Sequence, residues 1–401
     1  MQYSKLILPI FATICSQAFA TEPAFTLKDN ETWVMAGDSI TAQRLHTNFI
    51  EAFFRTRYPQ WHLHFRNSGC GGNRVGDVSG RFDYDVAAWK PNIVSIELGM
   101  NDVWGSNPES KDAPAVYIND MKMLVGKVRA IPAQPLLISS SPVNDGSVMD
   151  KWTSPSCHSL HLFTEALKEL GQKENIPVVD QYHPLLSLWA ANTADKVNGI
   201  SFGGDAVHVN PIAQYTMAAT ILKALDVDRE VSSATIKPDG KVIASKSCKI
   251  SDVAFIGDKL SFTRLDERTP WPLLPDGVTA AKLMPEITDL SRYTLTIPKL
   301  PAGQYRITMN DKPVATLGNE VLAKGWNMST VSEGPLADRA VEILGLIKEL
   351  QSPLNDSWRN ASKAKDPEKL AAAQKDIDEI EAKLQSACQP TPIRFVIELV
   401  K

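Results

Sequence analysis

Four short blocks in the first 210 residues carry residue types that could together perform nucleophilic catalysis. They hold a serine, a glycine-rich turn, an asparagine and an aspartate–histidine pair, in Gly37-Asp38-Ser39-Ile40, Asn67–Asn73, Gly99–Asp102 and Asp205–His208. A serine hydroxyl whose proton is taken by an imidazole can attack a carbonyl, and N–H donors stabilise the oxyanion that forms. As a set, the blocks therefore predict acyl transfer.

Each of the first three blocks also has a structural explanation. Ser39 stands where a helix N-cap serine would be favoured, and Asn101 could bond its own backbone in a turn. The three glycines between Gly69 and Gly72 fit a tight turn, although they would also let backbone N–H groups approach a ligand closely. No single block decides between catalysis and local structure.

The fourth block pairs Asp205 with His208, and we expect it to open a helix. A spacing of three residues near a helix start lets the carboxylate orient the imidazole, which would then act as a general base. The rival interpretation is a pair of metal ligands. It lacks further histidine or carboxylate clusters at ligand spacing.

The elements that must position these blocks alternate between strands and helices. Short apolar runs predict strands at 32–36, 62–65, 93–98, 136–139 and 177–180, and helical periodicity predicts helices near 43–57, 114–130, 158–173 and 211–225. This alternation predicts a parallel sheet with helices on both faces. The first three blocks then follow strands, at the sheet edge where open α/β folds bind ligands.

In order and spacing the blocks resemble those of the SGNH hydrolases, the GDSL-type esterase superfamily. The match runs over residues 32–225, with Ile40 in place of the usual leucine. The resemblance implies a flavodoxin-like three-layer α/β/α sandwich. It also implies a nucleophile at Ser39 and an aspartate–histidine pair at Asp205 and His208.

The resemblance further implies an oxyanion hole and a mechanism. Its donors would be the Ser39 N–H, the N–H of Gly72, which stands five residues after Asn67, and the Asn101 amide. His208 would deprotonate the attacking hydroxyl, and water would hydrolyse the acyl-enzyme. Neither a cofactor nor a metal is required.

We place the catalytic region at residues 24–227. The sequence pattern changes after it. Alternating stretches separated by proline- and glycine-rich turns predict short antiparallel strands in an accessory region at 228–315. Residues 316–401 read as a helical segment, and its final strand, 394–400, is expected to rejoin the β region. No internal repeat is evident.

The first 20 residues predict a secretory signal peptide. A basic Lys5, an apolar stretch and an Ala18-Phe19-Ala20 ending predict cleavage after Ala20 and export to the periplasm or the outside of the cell. The alternative is a buried N-terminal helix. Cys15 lacks the small-residue context of a lipoprotein, so we predict no lipid anchor.

Four cysteines remain after cleavage, at positions 70, 157, 248 and 388. Four cysteines in an exported protein permit three disulfide pairings, which sequence alone does not separate. Pairing within each half would join Cys70 to Cys157 and Cys248 to Cys388. We state this pairing as a hypothesis.

Composition excludes several classes of protein. The 401 residues include 42 basic and 46 acidic side chains, so no electrostatic footprint of a nucleic-acid binder is present. No run of about 18 apolar residues occurs beyond the N-terminus, so we expect no membrane span. The expected partner is a small-molecule or polysaccharide ester, and the oligomeric state is not predicted.

Three further positions could bear on binding. Cys157-His158 with His161 could suggest a metal site, but one face of a helix start with a disulfide fits the spacing better. Trp104 could line a sugar-binding wall or belong to the core. Trp271 could reach the cleft, although packing is favoured.

The substrate is less constrained than the reaction. Export, an accessory β region and no evident apolar lid favour a carbohydrate O-acyl ester, with acetyl as the acyl group. The alternatives are a lipase or lysophospholipase and, from another class, a non-catalytic carbohydrate-binding protein with the same fold. Fold alone does not choose among them.

Overall fold

Five short strands form a parallel sheet in the order β2-β1-β3-β4-β5. The computed structural model describes residues 25, 27–105, 112–195 and 199–400. The strands are β1 Thr32–Gly37, β2 His64–Gly69, β3 Ile93–Glu97, β4 Gln134–Ile138 and β5 Val178–Val179. The parallel α/β sheet predicted from the sequence is confirmed, although β2 begins two residues later than expected and includes Asn67 and Ser68.

Helices cover both faces of this sheet. They are α1 Ser39–Ala42, α2 His46–Arg57, α3 Val75–Asp85, α4 Met100–Gly105, α5 Ala113–Arg129, α6 Pro155–Glu174, α7 Tyr182–Asp195 and α8 Pro211–Ala224, with a 3₁₀ turn at Ala87–Trp89. Alternate residues of β1 enter different cores: Val34 packs with α3 and α5, while Trp33 packs with α2. This is the pattern of a central sheet buried on both sides.

Four of these helices were not predicted from the sequence, and α3 and α7 are the two longest of them. Helix α3 contains Gly76 and Gly80, which lower helix propensity. Helix α7 has a mostly apolar sequence, with Pro184 in its first turn, so it lacks the usual amphipathic pattern. Both helices form because their apolar residues fill the core rather than because of local propensity.

Two further sheets follow the catalytic region. A four-stranded sheet has the order β13-β10-β6-β7, and a five-stranded sheet has the order β12-β11-β14-β9-β8. The strands are β6 Glu230–Ile236, β7 Val242–Lys246, β8 Cys248–Ile256, β9 Lys259–Asp266, β10 Arg292–Thr296, β11 Gln304–Met309, β12 Lys312–Gly318, β13 Trp326–Asn327 and β14 Ile393–Leu399. Most neighbours are antiparallel as expected, but β6 and β10 are parallel, and three strands and two helices lie between them along the chain.

Helices also interrupt and follow these strands. They are α9 Pro275–Leu283, α10 Glu286–Asp289, α11 Asn319–Lys324, α12 Gly334–Ser352, α13 Arg359–Ala364 and α14 Pro367–Ala387, with a 3₁₀ turn at Met328–Thr330 and a π-helix at Pro353–Trp358. Strand β14 lies in the middle of its sheet, paired with β9 on one side and β11 on the other.

The C-terminal elements share a hydrophobic core with the first sheet. Trp271, Ile343 and Leu384 pack in the same cluster as Trp33 and Phe49. The Trp271 indole is buried and donates to the Phe49 carbonyl at 2.8 Å, so it does not line the cleft. The borders at 227/228 and 315/316 remain a proposal for the division of the chain, and this core crosses both of them.

The four cysteines are free thiols, so the hypothesis that pairs Cys70 with Cys157 and Cys248 with Cys388 is wrong for this structure. Two of these thiols have polar contacts within their own region of the fold. Cys157 Sγ lies 3.2 Å from the Tyr182 hydroxyl oxygen, while Cys248 Sγ is 3.3 Å from the Ser233 carbonyl.

Two predictions concern the membrane and export. Within the described part of the chain, no helix combines the length and apolarity needed to span a bilayer. The signal peptide predicted for residues 1–20 lies outside the described residues.

Candidate active site

Ser39 is held at the carboxyl end of β1 by the sharp entry into α1. The helix cap is Asp38, whose carboxylate accepts the Ile40 N–H at 2.9 Å. Gly37 allows the close approach, because a Cβ there would lie 2.0 Å from the Thr41 hydroxyl oxygen. The serine hydroxyl is therefore not used as the cap.

Ser39, His208 and Asp205 meet in one chain of hydrogen bonds. The Ser39 Oγ lies 2.7 Å from His208 Nε2, and His208 Nδ1 lies 2.9 Å from Asp205 Oδ2. With Nδ1–H donated to the carboxylate, Nε2 has a lone pair that can accept the serine proton. These are the contacts of a nucleophile, a base and the group that orients the base.

Asp205–His208 does not open a helix, contrary to the sequence prediction. The segment forms bends, and α8 begins only at Pro211 with Asn210 as its N-cap. Proline is favoured in the first turn of a helix, so Asn210-Pro211 sets the start. Gly204 is required for the turn itself: its φ is +68°, and a Cβ would lie 2.1 Å from the His208 carbonyl oxygen.

Three hydrogen bonds hold the His208 loop. The Asn144 N–H donates to the Ala206 carbonyl at 2.7 Å, and the Asn210 N–H donates to Phe202 at 2.7 Å. The Gln43 amide reaches the Val209 carbonyl at 3.4 Å. The histidine side chain is thus positioned without being buried; 39% of it is exposed.

The Asp205 carboxylate is stabilised as an anion. The backbone N–H of His208, the His208 ring and the Val207 N–H lower its pKa to about 2. The two backbone donors lie 2.6 and 2.8 Å from Oδ1. Asp205 is therefore ionised at neutral pH.

Asn101 and Gly72 lie on neighbouring segments at the same sheet edge. The Asn101 Nδ2 donates to the Asn73 carbonyl at 3.0 Å, and Asp102 accepts the Val75 N–H at 3.2 Å. Gly72 adopts φ +73° in an exposed turn. The turn is joined to β1, because the Cys70 N–H donates to the Gly37 carbonyl at 3.2 Å. Ser39, Gly72 and Asn101 are thus on three mutually bonded segments.

Two carboxyl groups beside these residues titrate near neutral pH. Burial raises the pKa of Asp38 to about 7, and burial likewise raises that of Asp102 to about 6. Glu97, at the end of β3, adds to the effect on Asp38. At neutral pH, Asp38 and Asp102 together therefore carry less negative charge than two fully ionised carboxylates would.

A buried polar network lies beneath the site and was not predicted from the sequence. Glu97 accepts from Gln181 at 2.8 Å and lies 2.9 Å from His46 Nε2, while His46 Nδ1 lies 2.7 Å from Gln214 Oε1. Burial disfavours the charged imidazole, but the Glu97 carboxylate outweighs it and raises the pKa of His46. Gln214 in turn donates to Gln43 at 2.9 Å, and Gln43 contacts the His208 loop.

The C-terminal segment also reaches the glycine-rich turn. The Arg359 guanidinium, at the start of α13, lies 2.7 Å from Asp85 Oδ1. It also donates to the Asn67 and Gly69 carbonyls and to Cys70 Sγ, each at 3.3 Å. Sequence motifs could not have located this residue, since at least 289 positions separate it from Asn67, Gly69 and Cys70.

The remaining candidate residues divide between surface and core. Trp104 lies on α4, one turn after Asn101, with 57% of its surface exposed. Cys157 is fully buried, and the His158 ring stacks on Trp152. Cys157, His158 and His161 therefore do not converge as a metal site.

Comparison with known proteins identifies the class. Residues 35–214 match the GDSL-like lipase/acylhydrolase family. The match covers less than half of the chain and, together with the parallel sheet, confirms the resemblance to the SGNH hydrolases that the sequence shows. The matched family is one of carboxylic ester hydrolases.

The individual relatives are distant. An acetylxylan esterase of Geobacillus stearothermophilus is 25% identical over 134 residues, which cover 33% of this chain and 60% of the esterase. A solved catalytic mutant of an acetylxylan esterase from that organism covers 51% of this chain and 98% of its own, at 20% identity and a TM-score of 0.43.

A second solved structure resembles nearly the whole chain. It is a gut microbial diltiazem-metabolizing enzyme, 19% identical, with a TM-score of 0.80 over 94% of this chain and 99% of its own. At this identity the likeness shows a common fold. That fold extends through the C-terminal sheets and helices, because the coverage exceeds the catalytic region.

Proposed function

We propose that this protein is a serine esterase that removes O-acyl groups, acetyl in preference, from carbohydrates. The observation that carries the proposal is the pair of contacts at His208: 2.7 Å from Nε2 to the Ser39 hydroxyl and 2.9 Å from Nδ1 to Asp205. Both distances are those of direct hydrogen bonds.

Acylation begins at Ser39. His208 Nε2 takes the hydroxyl proton as Oγ attacks the ester carbonyl, and the imidazolium that forms is stabilised by Asp205. The tetrahedral intermediate collapses when the sugar oxygen leaves with the proton from His208. The acyl group then remains on Ser39, and water is activated by the same imidazole to release the acid.

The oxyanion would be bound by the Ser39 N–H, the Gly72 N–H and the Asn101 amide. Asn101 Nδ2 carries two protons, of which one is donated to the Asn73 carbonyl, so the other is oriented by that bond. A donor of this kind is typically worth about 3–4 kcal/mol of transition-state stabilisation.

Two features support a carbohydrate ester as substrate. The matched relative from Geobacillus stearothermophilus is an acetylxylan esterase. In addition, Trp104 is exposed one helical turn beyond Asn101, where its flat ring could stack on a sugar next to the scissile ester. The proposal includes export of the enzyme, and the support for export is the signal peptide predicted from residues 1–20 alone.

The test combines a substrate panel with a serine-directed probe. Acetate release is measured from acetylated xylans and other acetylated polysaccharides, and hydrolysis is followed with nitrophenyl esters of graded chain length. We expect acetyl esters to be hydrolysed fastest and Ser39→Ala to remove activity while the protein stays folded. A rate that rises steeply with acyl length would instead indicate a lipase or lysophospholipase.

A fluorophosphonate probe separates catalysis from binding. We expect it to label the wild-type protein at Ser39 and to leave Ser39→Ala unlabelled. If the folded wild type is not labelled, the protein is a carbohydrate-binding relative rather than an esterase.

A further inference from the structure

Three side chains with metal-binding atoms converge beside β5, the edge strand of the first sheet. His161 and Glu165 lie four positions apart on α6, which places them on one helix face. His183 faces them from the first turn of α7, just after β5. One ligand atom from each residue, His161 Nδ1, a Glu165 carboxylate oxygen and a His183 ring nitrogen, lies within 4.8 Å of the other two.

The separations match those of a small tetrahedral site. His161 Nδ1 and His183 Nε2 are 2.9 Å apart, and Glu165 Oε1 lies 3.7 Å from the same His183 nitrogen. Bonds of about 2.0–2.2 Å to a tetrahedral zinc ion set neighbouring ligand atoms about 3.3 Å apart. The observed values stand on either side of that distance.

Asp180 fixes the orientation of the His183 ring. Its Oδ2 lies 2.6 Å from His183 Nδ1, and its Oδ1 accepts the His183 backbone N–H at 3.1 Å. The proton is therefore on Nδ1, and the Nε2 lone pair is directed at His161 and Glu165. A carboxylate behind a ligating histidine is the usual outer partner in protein metal sites.

We propose that His161, Glu165 and His183 bind one divalent transition-metal ion, of which Zn²⁺ is the best match to two imidazoles and a carboxylate. On binding, the His161 ring changes tautomer: its proton moves from Nδ1 to Nε2 by exchange with solvent, and the neutral imidazole presents its Nδ1 lone pair. Both His161 Nδ1 and His183 Nε2 then bind the metal. Water completes the coordination. The ion joins α6 to α7, and the proposal is independent of ester hydrolysis at Ser39, which lies three strands away in the sheet order.

Lys168 is the residue that opposes this site. Its ammonium lies 2.9 Å from Glu165 Oε1 and 3.7 Å from Asp180 Oδ2, so it occupies the anionic side of the cluster. A metal ion must displace this ammonium from Glu165. Removal of the charge in Lys168→Met is therefore expected to tighten metal binding.

The experiment uses the full chain without an affinity tag, stripped with a chelator and titrated with Zn²⁺ in a calorimeter at pH 7. We expect one equivalent of Zn²⁺ to bind. His161→Ala and His183→Ala should each weaken it by about 100-fold or more, and Asp180→Asn by about 10-fold. Circular dichroism and thermal unfolding confirm that each variant is folded.

The matched control is His158→Ala. His158 lies on the same helix as His161, and both rings stack on Trp152, with centroids 5.0 and 5.6 Å away, but His158 is not one of the three converging residues. We expect this variant to bind Zn²⁺ as tightly as the wild type does, and Co²⁺ in place of Zn²⁺ to give a tetrahedral absorption spectrum that is lost in His161→Ala. No saturable binding in the wild type, or equal loss in His158→Ala, would overturn the proposal.

Discussion

Arg359 and Gly69 are in contact across 290 residues of sequence, with the guanidinium donating to the Gly69 carbonyl at 3.3 Å. The same guanidinium pairs with Asp85, which is 2% exposed and is also bonded to Ser68. The π-helix before Arg359 is held in place by Trp358, whose ring stacks on Trp89. The C-terminal segment is therefore a support for the turn that contains Gly72.

Replacement of Arg359 by methionine should affect turnover more than binding. Without the guanidinium, the Asn67 and Gly69 carbonyls at the end of β2 lose a common donor. The N–H proposed for the oxyanion hole, in the turn that follows β2, is then less well aligned. We expect kcat for a nitrophenyl acetate substrate to fall by about 10-fold, as for a loss of about 1.4 kcal/mol, with KM within 2-fold. Arg359→Lys should be intermediate, because one ammonium cannot serve all the acceptors.

The matched control is Lys363→Met on the same helix, whose side chain is exposed. This variant should keep the wild-type kcat. A parallel rise in KM in Arg359→Met, or an equal defect in Lys363→Met, would show that the C-terminal segment affects only general stability or substrate binding.

Asn101→Ala should lower kcat by about 10²–10³-fold, since one oxyanion donor is lost. Steady-state kinetics with a short-chain nitrophenyl ester measures the effect. The thermal unfolding temperature serves as the control for folding, because Asn101 also donates to Asn73. A folded variant with kcat within 3-fold of wild type would exclude Asn101 from the oxyanion hole.

Trp104→Ala should separate sugar recognition from chemistry. Loss of a stacking surface should reduce kcat/KM for acetylated xylo-oligosaccharides by about 10-fold, the equivalent of about 1.4 kcal/mol. The rate with nitrophenyl acetate should stay unchanged. Met123→Ala, which removes a side chain that is also 57% exposed, is the control. Equal losses on both substrates would contradict a sugar-binding role.

Glu381→Gln should destabilise the protein and remove part of its acid sensitivity. Glu381 lies 2.7 Å from both Arg66 and His64 and 3.5 Å from Arg55. Burial alone would raise its pKa, but the charges of Arg66 and Arg55 and the hydrogen bond with His64 hold that pKa well below the ordinary 4.5. Loss of the charge removes the carboxylate that pairs with the buried Arg66, whereas Arg55 keeps Glu51 at 2.8 Å. We expect a cost of about 3–5 kcal/mol in the free energy of unfolding.

The sign of the pH effect follows from the lowered pKa of Glu381. Its stabilising contribution is complete above pH 4.5 and is lost as the pH falls below that value. The free energy of unfolding, measured with urea between pH 3 and pH 7, should depend less steeply on pH in Glu381→Gln than in wild type. Glu379→Gln, on the exposed side of the same helix, should behave as wild type; a similar loss there would contradict the assignment.

Asp38→Asn should have the opposite pH signature. The pKa of Asp38 is raised from 3.8 to about 7 by burial, so its favourable contribution is complete below pH 3.8 and is lost as the pH rises to about 7. Asparagine keeps an oxygen for the Ile40 N–H. We expect the variant to be more stable than wild type at pH 8, by a few kcal/mol at most.

Urea unfolding at pH 5 and pH 8 measures this difference, and Asp83→Asn on the exposed face of α3 is the control. If wild type and Asp38→Asn lose stability equally between the two pH values, Asp38 is ionised in the folded protein throughout that range.

The sequence predicted most of what is local in the site. Ser39, Asn101 and the Gly72 turn each follow a strand closely, and the carboxyl ends of parallel strands meet at one edge, so their proximity could be inferred. His208 was expected in a helix, but Asn210-Pro211 starts the helix later. The loop is set instead by tertiary contacts with Asn144 and Gln43.

Residues that act through distant contacts could not be predicted in this way. Arg359 belongs to no recognisable motif, and its partners are brought to it by the packing of α12 and α14 on the first sheet. His183 was missed for the same reason, because its convergence with His161 depends on how α6 and α7 cross. The parallel pairing of β6 with β10 likewise has no local signal.

The central position of β14 has a consequence for the order in which the protein can fold during synthesis. Strands β9 and β11 are made long before residues 393–399, yet each bonds to β14 rather than to the other. Until that last strand arrives, both present open edges on which other chains can pair. Deletion of residues 390–400, which removes this central strand, should therefore give a product that aggregates. Loss of a strand at the edge of the same sheet would be tolerated, because the remaining strands would stay paired.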